Sequence, residues 1–390
     1  MIHRIEVENF YSVLDSQTLD LRARTNLTNN KHLAPIFQGS QEYAPKVVAI
    51  FGANASGKTT ILRAIPFISW FVQYSFTGLP PVSDLPQPGG GAQPCLRFFS
   101  DAAKEIPTRI CVHFSGPEDL NVADEKKISF CRYSYEVRFE AHLEFPRVVL
   151  SESLRRWPKE SGKSIRVFER DQDGKINDSK EFSLSGYKYI TDKVRSNASL
   201  ISTLLQFNHK PSLTLKNIAA TAFSNLLMEK FAFTDEQAIN LIEISPPTLL
   251  DFLNNQLQRV DVGITKMTLQ PTPMGTTAFF THEGLNRTVN IKNESNGTRE
   301  FIRLYPLLYN ALTTGGVAIL DELDQSLHPF MLEEIVRWFQ DEKTNPHNAQ
   351  LWMTCQSDSL LECLKKEEVV FCKKDESGRT QVCLSQEVML

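Results

Sequence analysis

The sequence has no stretch approaching 18 consecutive apolar residues, so no membrane-spanning helix is expected. It has no CxxC pair and no cysteine grouped with histidines at metal-ligand spacing. Its seven cysteines, an odd number, read as free thiols in a reducing cytosol, and a cytoplasmic protein is the expectation. The opening Met1-Ile-His-Arg-Ile-Glu6 lacks the apolar core of a signal peptide. Positive charge is not in excess either: 42 Lys and Arg against 46 Asp and Glu leave −4, with a pI near 6.1. Composition therefore does not argue for nucleic acid as a partner, although a local patch could still hold it. Internal repeats and low-complexity tracts are also missing. What remains is an ordinary globular composition, 41% hydrophobic and 23% charged. At 390 residues it exceeds what one core usually holds, so two lobes, or a domain with a large insertion, are expected.

Residues 3–21 alternate apolar and polar around Ile5, Val7, Phe10, Val13, Leu19 and Leu21, which predicts two short strands. The polar, Asn-rich stretch 22–45 predicts a loop. Pro45-Lys-Val-Val-Ala-Ile-Phe51 reads as a buried strand, followed by a glycine turn and an amphipathic helix over 58–74. Four Gly and five Pro in 78–94 demand an irregular connection. From 96 to 190 the period is two, giving antiparallel strands near 107–114, 128–140, 146–154 and 164–170. From 192 to 259 it becomes helical, through Leu200, Leu204, Leu205, Ile218, Phe223, Leu226 and Leu227. Pro246-Pro247 breaks that stretch into short helices, too short for a long coiled-coil arm. Strands at 262–270, 276–282 and 287–291, a helix from 297 and a strand at 317–320 follow. The expected division is 1–95 with the glycine turn, 96–190 as an antiparallel β subdomain, 191–260 as a helical insertion, and 261–390 as a closing lobe.

Gly52-Ala-Asn54-Ala55-Ser56-Gly57-Lys58-Thr59-Thr60 satisfies GxxxxGK[ST] between a strand and a helix. Its glycines let backbone N–H groups curl around phosphates, and the helix N-terminus adds partial positive charge. Lys58 is placed for the β- and γ-phosphates of ATP and the Thr59 hydroxyl for Mg²⁺. A coincidental glycine turn is the bland alternative. Gly316-Val-Ala-Ile-Leu320-Asp321-Glu322 is an apolar strand ending in two carboxylates. Asp321 would hold the Mg²⁺ shell and Glu322 would polarise the attacking water, a role worth about 10²–10⁴ in rate. Taken alone, that strand is equally an ordinary one with an acidic end. Asp324, just beyond, could bridge two subunits; His328 is a packing or capping residue, and Pro329 suits a first helical turn. Glu294-Ser295-Asn296-Gly297-Thr298 precedes an amphipathic helix with Phe301, Leu304, Leu308 and Leu312 on one face. Ser295 fits a simple helix cap.

In order, Asn9-Phe10-Tyr-Ser12, the glycine turn, Glu-Ser-Asn-Gly-Thr and Leu-Asp-Glu-Leu-Asp-Gln-Ser-Leu-His-Pro resemble the AAA/ABC-like (OLD/SMC-type) P-loop ATPases. The chain is similar to the stand-alone ATPases of bacterial abortive-infection and phage-defence modules: Septu (PtuA), retron and PARIS. Lys366-Glu-Glu-Val-Val-Phe and Lys374-Asp-Glu-Ser-Gly378 look like that group's closing strands. The resemblance implies an α/β, ABC-type head of two lobes, with an antiparallel β subdomain and a helical insertion. It implies a homodimer or higher even oligomer with ATP held between copies. Ser295 and Gly297 would then form a signature loop meeting the γ-phosphate on the other subunit. The implied function is a sensor or scaffold controlling a separately encoded toxin or nuclease. Two departures stand out. The histidine expected after the last core strand is Gln356, which donates a hydrogen bond but cannot become cationic, so turnover is expected to be slow or gated. The glutamine that couples the lobes has no clear counterpart beyond Gln93.

Asp321 lies 263 residues after Lys58 (321 − 58), too far for a compact transporter ATPase, and Leu-Ser-Gly-Gly-Gln is missing. No Asn-Lys-x-Asp follows to specify guanine. Glu169-Arg-Asp171-Gln-Asp173 resembles a metal-binding acidic pair, but before Gly174 it reads better as a solvated hairpin turn. Any destructive activity is thus assigned to a partner. The alternatives are a DNA-repair ATPase gripping duplex DNA, which strong salt-dependent binding would favour, and an ATP-binding scaffold with little turnover.

Overall fold

The computed structural model describes residues 1–23, 30–78, 95–121, 128–140, 148–159, 162–226, 233–260, 263–273, 275–356 and 358–387. In the first part of the chain come β1 (Ile2–Glu8), β2 (Gln17–Asp20), β3 (Leu33–Pro35), β4 (Tyr43–Pro45), β5 (Val47–Phe51) and α1 (Lys58–Tyr74). There follow β6 (Thr108–Pro117), β7 (Phe130–Phe139), β8 (Val149–Trp157), β9 (Ile165–Arg170) and β10 (Ile176–Asp178). The middle holds α2 (Lys188–Thr191), α3 (Leu200–Leu205), α4 (Lys210–Ala219), β11 (Ala222–Ser224), α5 (Asp235–Ile244) and α6 (Pro247–Val260). Next are β12 (Ile264–Thr272), β13 (Gly275–His282), β14 (Val289–Asn290), α7 (Asn296–Thr314) and β15 (Val317–Leu320). The chain closes with α8 (Leu323–Ser326), α9 (Pro329–Gln340), β16 (Gln350–Cys355), β17 (Val369–Lys374) and β18 (Thr380–Leu384).

Two large sheets organise these elements. One is antiparallel, in the order β10-β9-β8-β7-β6-β1-β2; the other runs β11-β15-β16-β5-β17-β18 and is parallel from β11 to β17. In the parallel sheet β5 is buried throughout because its two faces serve two cores. Val48 and Ile50 join the core that α1 shares with the antiparallel sheet, while Val47, Ala49 and Phe51 join the core under α7 and α9. Hence the unbroken apolar run before the glycine turn, as expected of a parallel strand covered on both sides. Helix α1 lies between the sheets and is buried over most of its length.

The antiparallel strands fall close to their predicted places, β8 about three residues later. Two expectations need correction. Phe223 does not belong to a helix: Ala222–Ser224 pairs in parallel with Val317–Ile319 and forms the edge of the parallel sheet. The segment 22–45 is not all loop, because Leu33–Pro35 and Tyr43–Pro45 pair as a small hairpin. Gln93, Leu227 and most of the Gly/Pro-rich connection lie outside the described residues. Asp171 accepts from the N–H groups of Asp173 and Lys175 in the β9–β10 turn, the hairpin geometry expected of that acidic pair. Among the described residues no helix is long and apolar enough to cross a membrane.

Candidate nucleotide site

Between β5 and α1 the chain must reverse tightly, and its backbone angles show how. Ala55 is left-handed at φ 62°, and Gly57 at φ 101° opens α1. A side chain at Gly57 would run into the Thr380 hydroxyl, and one at Gly52 into the Cys372 carbonyl, so both positions require glycine. No side chain caps the first N–H groups of α1, and its first turn carries no carboxylate. That end of the helix is therefore open to an anion. The Ser56 hydroxyl is buried without a protein partner, a polar atom that a phosphate oxygen would satisfy. Burial pushes the Cys372 thiol up to about 12, so it stays neutral beside Gly52.

The loop is braced from both ends of the chain. Thr380 donates its N–H to the Ser12 carbonyl at 2.7 Å, and its hydroxyl lies 2.8 Å from both Ser12 Oγ and the Ser56 carbonyl. Ser12 Oγ in turn lies 2.9 Å from Thr60 Oγ1. A cleft of about 350 Å³ opens here, lined by the loop from Asn54 to Thr60 together with Ser12, Glu322, Gln325, Gln356 and Lys374.

Lys58 Nζ donates to the carbonyls of Gly52 (2.7 Å) and Ala53 (3.1 Å), which holds the ammonium over the loop. Thr59 Oγ1 lies 3.0 Å from each Asp321 carboxylate oxygen, across 262 residues of sequence. Glu322 is left-handed at φ 52°, unusual for a non-glycine residue, and lines the cleft. Gln356 also lines it, and its N–H donates to Asp324 Oδ2 at 2.6 Å. An all-oxygen donor set of one hydroxyl and one carboxylate suits Mg²⁺, which keeps several waters and shares phosphate oxygens.

Three contributors were not assigned to the site from the sequence. Thr354 Oγ1 donates to Asp321 Oδ1 and accepts from the Glu322 N–H, both at 2.7 Å. Asn225 accepts from the Asp321 N–H at 2.8 Å and donates to its carbonyl at 3.3 Å. Lys374 reaches the cleft from the end of β17. The one hint for Thr354 was a lone hydroxyl near the end of an apolar strand.

Ser295 and Gly297 are not brought to this cleft. Ser295 caps α7, its Oγ accepting the Thr298 N–H at 3.1 Å, and a side chain at Gly297 would meet nothing nearer than 3.9 Å. The helix behind them is clamped by buried Asp235, which accepts from Arg299 (2.9 and 2.6 Å) and Arg303 (2.7 Å). His328 caps α9 through Nδ1, which accepts from the Phe330 N–H at 3.4 Å.

Glycine turn, open helix end, cationic lysine and hydroxyl–carboxylate pair are the parts of a P-loop ATPase. Residues 47–362 match the family described as "AAA domain, putative AbiEii toxin, Type IV TA system". The chain belongs to that family of AAA/ABC-like P-loop ATPases of abortive-infection type. No curated protein matches the sequence. Among solved structures, an SMC head bound to the C-winged-helix domain of ScpA is 13% identical with a TM-score of 0.50, covering 100% of this chain and 99% of that one. The SMC head domain from Thermotoga maritima is 11% identical (TM-score 0.42; 98% of each chain). The Pyrococcus furiosus SMC head with an extended coiled coil, bound to the C-terminal domain of ScpA, is also 11% identical (TM-score 0.45; 100% and 97%). The first of these shows the shared head fold.

Proposed function

We propose that this protein hydrolyses Mg²⁺-ATP as a dimer of heads and serves as the sensor or scaffold of a phage-defence module that acts through a separate effector. The observation that carries the catalytic half is the meeting of Thr59, Asp321 and Glu322 beside the phosphate loop. Bound Mg²⁺ would neutralise charge developing on the phosphates. Thr59 and Asp321 would hold it. Lys58 would bind the β- and γ-phosphates, Glu322 would orient a water and accept its proton, and Gln356 would donate a hydrogen bond to the γ-phosphate. The dimer is supported by the placement of Ser295 and Gly297, outside the cleft of their own chain and set at the start of a rigidly clamped helix. The defence role is supported by the description of the matching family.

Glu322→Gln tests both halves. The variant should keep ATP affinity, lose about 100-fold or more in turnover, and accumulate as an ATP-held dimer in light scattering. Turnover at the wild-type rate would remove Glu322 from the chemistry. A monomer at saturating ATP would remove the shared site. Wild-type protein that binds ATP tightly without hydrolysing it would favour a nucleotide-gated scaffold, for which the neutral Gln356 is the structural reason.

A further inference from the structure

Strand β16 lies between β15, which ends in Asp321, and β5, which ends in the phosphate loop. Its register pairs Leu320 with Met353 and Ile50 with Thr354. Thr354 is therefore the first β16 residue past the end of β15, opposite the turn that carries both carboxylates. It shares a strand face with Trp352, on the side that packs under α1, whose first turn carries Thr59. The Thr354 side chain is almost completely buried, yet its hydroxyl both donates and accepts.

A threonine hydroxyl has one proton and two lone pairs. The Glu322 N–H can only donate, so the hydroxyl must accept from it; its own proton then goes to Asp321 Oδ1. One group thus fixes the carboxylate that would hold Mg²⁺ and the backbone of the residue that would orient water. The second bond also accounts for the left-handed Glu322. It ties down the N–H of a non-glycine residue held in that sparsely populated conformation. A matching tie lies two residues on, where the Gln356 N–H donates to Asp324. The end of β16 is thus tied twice to the segment that follows β15.

We propose that Thr354 is a positioning residue of the ATPase site, setting the Asp321 carboxylate and the Glu322 backbone relative to each other. The inference rests on the hydrolytic reading above. It requires a hydroxyl at this position, whereas a packing role requires only a β-branched shape.

The test compares Thr354→Val, which keeps the shape and removes the hydroxyl, with Thr354→Ser, which does the reverse. ATP affinity, single-turnover hydrolysis, and Mn²⁺ affinity in the presence of ATP, read by electron paramagnetic resonance, are measured on the full chain. In the Val variant ATP affinity should stay within about threefold, because Lys58 and the loop are untouched. Its kcat should fall about 10- to 100-fold, the cost of a small misplacement of catalytic groups, and Mn²⁺ should bind about tenfold more weakly. The Ser variant should stay within about threefold of wild type in every readout. Wild-type kcat and Mn²⁺ affinity in the Val variant would overturn the proposal, as would a Ser variant as impaired as Val. Thermal unfolding is recorded first. If Val destabilises the head, Thr354→Ala takes its place under the same criteria. If the wild type proves not to hydrolyse ATP, the hydrolytic reading fails, and the Mn²⁺ measurement alone decides the role of Thr354.

Discussion

Helices α1 and α7 both begin at a glycine-containing loop, yet their first turns are prepared for different things. At α1 the cap is a left-handed glycine, no side chain takes the leading N–H groups, and Asp321, Glu322 and Gln356 come from the ends of two strands to meet Thr59 of the helix itself. At α7 the cap is Ser295, which already takes the Thr298 N–H, and the neighbouring surface is open. One helix start is surrounded by its own chain and presents its uncapped N–H end to the cleft. The other is held rigid by Asp235, and its Ser295 and Gly297 do not line the cleft. The difference is that between a cleft lined by its own chain and a helix start whose proposed role is contact with a second copy.

The sharpest way to break this contrast is at Lys58, the only side-chain cation within the phosphate loop. Lys58→Ala should weaken ATP binding by about 100-fold or more, since charge-assisted bonds to phosphate are lost. Calorimetry showing wild-type affinity would mean that the cleft is not the nucleotide site. Next, Ser295→Arg should leave ATP binding to the monomer within about threefold while preventing nucleotide-dependent dimers, since bulk and charge are placed where the contrast puts only a contact surface. An unchanged ATP-driven dimer in light scattering would refute the trans role of α7. A smaller effect is expected at Gln356. Replacing it with His should raise single-turnover hydrolysis about three- to tenfold by adding positive charge near the developing phosphate charge. An unchanged rate would place the slow step elsewhere, in closure of the dimer or in a missing partner.

The smallest expected effect lies away from both helix starts. Burial raises the Glu368 carboxyl to about 7, although Gln340 and the Lys365 N–H bond to it. With its folded value above its unfolded one, the native state binds the extra proton between about pH 4.5 and 7. Stability from this group is therefore full below that window and lost as pH rises through it. Glu368→Gln should flatten the fall in melting temperature between pH 5 and 8 and leave ATP affinity unchanged. A slope identical to wild type would show that Glu368 is ionised throughout.

How legible each part was depended on how local its cause is. The phosphate loop was readable because its glycines, lysine and threonine lie within eight residues and flank a run apolar enough to be a doubly covered strand. Asp321 and Glu322 were readable for the same reason, at the end of Val317–Leu320. Thr354 and Asn225 were not, since a single hydroxyl or amide has no periodicity and matters only once two strands are adjacent. Strand β11 was misread because three residues set no period and the apolar residues around it are spaced as in a helix. The order of the parallel sheet was hidden as well: β5 sits between two strands that arrive about 300 residues later, and no local pattern encodes that.

The junction of Ser12, Ser56 and Thr380 has a consequence for the birth of the protein. Residues 368 apart meet at one hydroxyl, and the brace on the phosphate loop comes from the last strand of the sheet. As the polypeptide leaves the ribosome, β5 and the glycine turn emerge early but have neither sheet neighbours nor brace until β16, β17 and β18 follow. Pairings of such long range form slowly. Nucleotide recognition is therefore among the last properties the nascent chain acquires.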